Sequence, residues 1–332
     1  MAATLPLIGI TLGDVAGIGP EVVVKALRHK QLYEQCRPLV IGDARVFRDP
    51  KFAALVDQIR LTEDLVTATF DPDAVTLLDL HNVDPDTIAV GKVSIEAGRA
   101  AVEYVLRAIE LAQSGEIDAI ATAPLNKEAM RLAGYPYIGH TEILTEVTGT
   151  ARCTTMLATE GLRVTHVTRH IPFRQIADQI TEANVLETVL ITASGMQRLG
   201  YEAPRIAVAG LNPHNGENGL LGREEIDAIG PAVEAARAHD IAAYGPIPAD
   251  SVFFQTTRGD YDVVVCMYHD QGHIAVKTHG FEQSITITLG LPIIRTSADH
   301  GTAFDIAGQG IADETSMLTA IAEAAILARN RG

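Results

Sequence analysis

The chain has 332 residues, of which 47% are hydrophobic and 20% charged, and a formal net charge of −16. That length suits two domains of about 100–200 residues each, and the apolar fraction suits a folded core rather than a disordered chain. The acidity excludes a nucleic-acid footprint, which needs clustered Lys and Arg, and means that an anionic substrate must meet a local basic pocket.

"LPLIGITLGD" is a short apolar run closed by Gly and Asp, and "GPEVVVKALRHKQLYEQC" follows with Pro at a helix start and helical apolar spacing. Strand signals recur at "RPLVIGD" (37–43) and "AVTLLDL" (74–80). The segment 93–115 reads as a long amphipathic helix stopped by Gly115, and "DAIATAP" as the next strand. Further strands are expected at "TTMLAT", "LRVTHVT", "RIAVAGLN", "YDVVVCMY" and "SITITLG". Helices are expected at "ITEANVLETVLITASGMQRLG", "REEIDAIGPAVEAARAHD" and "TSMLTAIAEAAILARN". Alternating strands and helices predict an α/β fold with mostly parallel sheet. The spacing places a central domain at 131–291, inserted into a first domain formed by 1–130 and 292–332.

Three widely spaced cysteines, Cys36, Cys153 and Cys266, with no CxxC, point to neither a disulfide framework nor a cysteine zinc site, and fit a reducing cytoplasm. The N-terminal stretch has no basic leader, and no run approaches the roughly 18 apolar residues of a membrane span. Neither membrane nor nucleic acid is an expected partner.

Polar motifs cluster where strands end, which is where open α/β sheets place ligands. "GDVAGIGPE" (13–21) sits between strand and helix but is neither GxGxxG nor a GK[ST] phosphate loop. It is either a tight Gly turn or a loop whose Asp14 and amides line a cleft. In "GHTEIL", His140 and Thr141 stand ahead of a helix whose first amides attract anions; alternatively Thr141 is simply the N-cap. His170, His214 and His269 each fall at a strand end beside Pro, Gly or Asp, and imidazoles suit divalent metals. His166, His273, His279 and His300 compete for that role, and the residues alone do not choose among them. Asp250 and Asp270 lie in similar places, as metal-orienting or proton-accepting carboxylates or as turn caps. Lys277 and Arg295 are the cations nearest these histidines and, with His140 and Thr141, could bind a phosphate.

Taken together, "GDVAGIGPE", "TAPLNKEA", "GHTE", "HIPFR", "LNPHNGENG", "GPIPAD", "YHDQG", Lys277 and "LPIIRTSADHGTAFDIAG" resemble the 4-hydroxythreonine-4-phosphate dehydrogenase family, in order and over nearly the whole chain. The resemblance implies two α/β domains with a cleft between them, similar to isocitrate and isopropylmalate dehydrogenases. It also implies a homodimer whose active site is shared across subunits. Carried over by position, the metal ligands are His170, His214 and His269; the phosphate and substrate contacts are His140, Thr141, Lys277 and Arg295; the catalytic cleft aspartates are Asp250 and Asp270. Asp14, His300, Gly301, Thr302, Ala303 and Asp305 are the cofactor candidates. The implied cofactors are NAD or NADP and a divalent metal, Zn, Mg, Co or Mn, and the partner is a phosphorylated small molecule. The implied reaction is oxidation and decarboxylation of a 4-phosphorylated 3-hydroxy acid. The family's own substrate, 4-(phosphooxy)-L-threonine of pyridoxal phosphate biosynthesis, comes first, with 4-phospho-D-threonate or 4-phospho-D-erythronate as the alternative. Two positions depart from the pattern: Val15 stands where Pro is usual, and Thr286, a substrate-binding position, replaces an Asn amide with one hydroxyl. "QGHIAVK" and "NGENGL" look closer to the sugar-acid enzymes. A metal-dependent phosphate-ester hydrolase and a non-catalytic anion-binding protein are the competing classes.

Overall fold

Buried β-branched and leucine runs form the centre of each of two units in this computed structural model, which describes residues 5–330. Met1 to Thr4, part of the stretch read for a leader, lie outside the described residues. One unit runs to Ala151 and resumes over Leu291–Asn330; the other is Arg152–Gly290. The segment 131–151, which the sequence spacing assigned to the central domain, therefore belongs with the first unit.

The first unit begins with β1 (Leu7–Thr11), α1 (Gly19–Leu27), β2 (Arg37–Gly42), α2 (Pro50–Ala53), β3 (Ile59–Leu61) and β4 (Val75–Asp79). It continues through α3 (Ile95–Ser114), β5 (Ala119–Thr122), α4 (Lys127–Leu132) and α5 (His140–Thr148). The second unit carries β6 (Thr154–Thr159), β7 (Leu162–His166), α6 (Ile176–Gln179), α7 (Glu182–Arg198), β8 (Ile206–Ala209) and α8 (Gly230–Ala238). It then adds β9 (Ala243–Ile247), α9 (Ala249–Thr257), β10 (Val263–Cys266), α10 (His269–Gly280) and β11 (Ile285–Leu289). The chain returns to the first unit with β12 (Arg295–Ala298) and α11 (Thr315–Arg329).

In the first unit the strand order is β3-β4-β2-β1-β5-β12, every pairing parallel. Parallel strands are covered on both faces, and all five residues of β1 are accordingly buried. Helix α3 starts and stops where local chemistry dictates: the Ser94 hydroxyl accepts from the Ala97 N–H, and Gly115 adopts φ 79° past the last turn. Helix α11 packs on β5 and β12.

In the second unit the order is β11-β6-β7-β10-β8-β9. Strands β7, β10, β8 and β9 run parallel, but β6 pairs antiparallel with both β7 and β11. The β6–β7 connection is Glu160-Gly161 with Gly161 at φ 73°, a tight hairpin inside what alternation reads as a parallel sheet. Helix α10 lies over β6 and β7. Its segment, "HDQGHIAVKTHG", carries two glycines and little apolar periodicity, so this helix is not among those expected from the sequence.

Candidate active site

The loop after β1 is shaped by close approach. A Cβ on Gly19 would lie 2.4 Å from the Leu12 carbonyl oxygen, and one on Gly17 would lie 2.7 Å from that of Thr302, which accepts from the Ile18 N–H at 3.0 Å. The loop therefore packs directly on the "HGTAF" segment. Asp14 is fully buried within it: Oδ1 accepts from the Ala16 N–H at 2.9 Å, Oδ2 has no hydrogen-bond partner, and burial pushes its pKa up to about 6 against the pull of that amide. The carboxylate is thus enclosed by the loop rather than presented on a surface.

Beside this loop, His300 Nδ1 contacts the Gly301 oxygen at 3.1 Å while its Nε2 is buried without a partner. Thr302 is buried and accepts from Asn126 at 3.4 Å. Gly301 and Asp305 are exposed, and Ala303 holds φ 39°, a left-handed conformation that few non-glycine residues adopt.

Two of the expected phosphate contacts meet in the first unit. Arg295, buried on β12, donates through Nε and Nη2 to the Thr122 hydroxyl at 3.2 and 2.6 Å. His140 opens α5; burial, then the Arg295 charge, hold its pKa well below the usual imidazole range, with only the Ala123 backbone pulling upward. Its Nε2 is buried and unpartnered, a neutral ring with one polar atom to offer. The helix cap is Gly139, without a side-chain bond, so Thr141 is a first-turn residue and not the N-cap. Lys277 and Thr286 lie in the second unit, Lys277 with its ammonium 5.2 Å from the Phe281 ring centroid and Thr286 in β11 opposite Leu157.

The second unit holds an open pocket of about 510 Å³ whose walls include His214, Asp250, Phe253, Tyr268, Asp270 and Asn212. His214 reaches it through an unusual backbone. His214, Asn215, Gly216, Glu217 and Asn218 all have φ between 45° and 74°. Asn tolerates this region and Gly prefers it, but His214 and Glu217 each bear roughly 1–2 kcal/mol of strain. The surroundings that hold the turn are polar: Glu225 accepts from the Leu211 and Asn212 amides at 2.8 and 2.7 Å, and Asn215 donates to the Pro246 oxygen at 2.8 Å. Strain maintained this way is characteristic of functional loops. Asp250 stands exposed in the first turn of α9, and Asp270 accepts from His269 Nδ1 at 2.6 Å, which orients that ring.

The His269 ring is one of four close together: His170 lies 5.7 Å from it, His273 3.6 Å and His166 6.1 Å, centroid to centroid. His214 is not in this stack. Among the described residues of one chain, no three His, Cys, Asp or Glu side chains surround a point where a metal ion could sit. The donor chemistry suits a divalent metal, since imidazoles with one nitrogen tied back are good ligands, but the three expected histidines do not converge within a single chain. The His273 contact is the feature that sequence reading missed: once α10 is a helix, residues four apart share a face, and His269 and His273 must stack.

Two α/β units, one bringing a buried Arg295 near His140 and the other holding a strained, histidine- and aspartate-lined pocket at strand ends, fit the open α/β enzymes that place polar groups beyond the ends of their strands. Residues 34–324 match the family model described as pyridoxal phosphate biosynthetic protein PdxA. The chain belongs to this family. It is 49% identical over 335 residues to the D-threonate 4-phosphate dehydrogenase of Cupriavidus necator, covering 100% of both chains. Its structure is similar to a 4-hydroxythreonine-4-phosphate dehydrogenase from Klebsiella pneumoniae, with 44% identity, TM-score 0.92 and 99% of each chain covered. A protein of the same name from Burkholderia phymatum is 48% identical, with TM-score 0.87, covering 98% of this chain and 99% of that one. Among the described residues, no helix is long and apolar enough to cross a membrane.

Proposed function

We propose that the protein oxidises and decarboxylates a 4-phosphorylated 3-hydroxy acid of the threonate type, using NAD or NADP and a divalent metal, in a homodimer that shares each active site. The observation that carries this reading is the pocket joining His214, Asp250 and Asp270, with His269 oriented by Asp270 beside His170. His170, His214 and His269 would hold the metal, which supplies Lewis acidity toward the substrate's hydroxyl and carboxylate. That the three do not converge within one chain agrees with ligands drawn from two copies. NAD or NADP, when bound, would supply the hydride acceptor.

The chain's own residues do the binding and proton handling. Arg295, His140 and Thr141, with Lys277, take the phosphate; the guanidinium supplies planar charge-assisted donors, and the neutral His140 ring adds a hydrogen bond without charge. Anchoring this remote group holds the carbon chain in place for reaction. Asp250 or Asp270 takes the proton of the 3-hydroxyl as hydride leaves carbon 3. The resulting β-keto acid loses CO2, and the electron pair left behind is protonated to give a phosphorylated ketone. The loop His300 to Asp305, which packs against the 13–21 turn, would hold the dinucleotide.

The threonate-type substrate is preferred over 4-(phosphooxy)-L-threonine because the full-length relative from Cupriavidus necator bears that name and because Thr286 offers a hydroxyl where an amide is usual in the family. The names of the two similar structures favour the amino-acid substrate as second reading. A His214→Ala variant tests the site: turnover is expected to vanish with the fold intact, and full activity in that variant would end the assignment.

A further inference from the structure

Two histidines outside the proposed ligand set, His166 and His273, lie directly behind His269. His273 sits one helical turn beyond it on α10, with ring centroids 3.6 Å apart and planes within 12° of parallel. Its Nδ1 lies 3.0 Å from the His269 carbonyl oxygen and 3.3 Å from His166 Nε2. His166 ends β7 and is 2% exposed. Gly272 makes the arrangement possible, because a Cβ there would lie 2.5 Å from His166 Nε2.

We propose that His273 is a positioning residue that fixes the ring plane of His269, and that His166 holds His273 in turn. The inference rests on reading His269 as a metal ligand. Both contacts of His273 are satisfied by one proton placement. With the proton on Nδ1, His273 donates to the His269 carbonyl oxygen and presents the same N–H to His166 Nε2. The His273 ring is thereby fixed at the correct angle to cover one face of His269. Asp270, whose side chain is 71% exposed, ties His269 at Nδ1, and His170 lies 5.7 Å from the ring; the stack on His273 adds a restraint on the ring face, which the Asp270 bond does not cover. Rotation of the His269 ring away from its ligating orientation would break the stack on its buried side, so His273 supplies the restraint that Asp270 alone does not.

The test is a Co2+ titration of the metal-free full-length protein, followed by visible absorption, for the wild type, His273→Leu and His273→Phe, with thermal unfolding of each metal-free sample. Loss of an outer partner typically weakens metal binding by about 10–100-fold. His273→Leu is expected to weaken Co2+ binding at least about tenfold, while His273→Phe, which keeps a flat ring against His269, retains most of the affinity. Wild-type affinity in His273→Leu would overturn the inference, as would equal loss in the Leu and Phe variants, which would mark a general packing defect. Failure of the wild type itself to take up Co2+ would instead remove the metal reading beneath it.

Discussion

Replacing Asp14 with Asn should flatten the pH dependence of stability. Asp14 is fully buried, one of its oxygens has no partner, and burial raises its pKa from the usual 3.8 to about 6. A carboxyl with a raised folded pKa holds its proton more tightly folded than unfolded. Its contribution to stability is therefore fully present below about pH 4 and is lost as the pH rises through about 6. The difference between 3.8 and about 6 is worth about 3 kcal/mol, of which about 2 kcal/mol falls between about pH 4.5 and 8. Asn keeps an acceptor for the Ala16 N–H but never ionises. It buries an unpartnered amide donor at a cost of about 1–3 kcal/mol, the same at every pH. The variant's absolute stability is thus less informative than its slope. Urea unfolding of both proteins at several pH values should show the Asn variant gaining about 2 kcal/mol on the wild type between about pH 4.5 and 8. Parallel stability curves over that range would refute the reasoning.

Gly272→Ala should destabilise the second unit, because the new methyl meets His166 Nε2 at 2.5 Å, the Cys266 sulfur at 2.9 Å and Val164 at 3.0 Å. Overpacking of about 1–3 kcal/mol, offset by up to about 1 kcal/mol of helix propensity, predicts a lower Tm that calorimetry would detect, whereas an unchanged or raised Tm would contradict the packing. Arg295→Lys keeps the charge but loses the planar donors, so KM for the phosphorylated substrate should rise about tenfold or more while the pH profile of kcat stays put; steady-state kinetics would show it, and an unchanged KM would remove Arg295 from the phosphate site.

Much of the fold was legible because its signals are local. The Ser94 and Gly115 caps of α3, the apolar runs of β1, β2 and β10, and Pro20 at the start of α1 each act through their own segment. What sequence could not show depends on partners distant in the chain. The β6–β7 hairpin interrupts the alternation that predicts parallel strands. Helix α10 forms over β6 and β7 from residues with weak helical patterning, so the stacking of His269 on His273 stayed hidden. The strand-end context of His214, Asp250 and Asp270 was readable, and the pocket joins all three. The left-handed turn that presents His214 was not, because His214 and Glu217 themselves give no signal for a positive φ.

The most direct test of the proposed activity is NADH formation by the purified protein with a divalent metal, comparing 4-phospho-D-threonate with 4-(phosphooxy)-L-threonine. NADH produced together with CO2, dependent on metal and faster with the threonate, is the predicted result. Release of inorganic phosphate without NADH, from either compound, would contradict it.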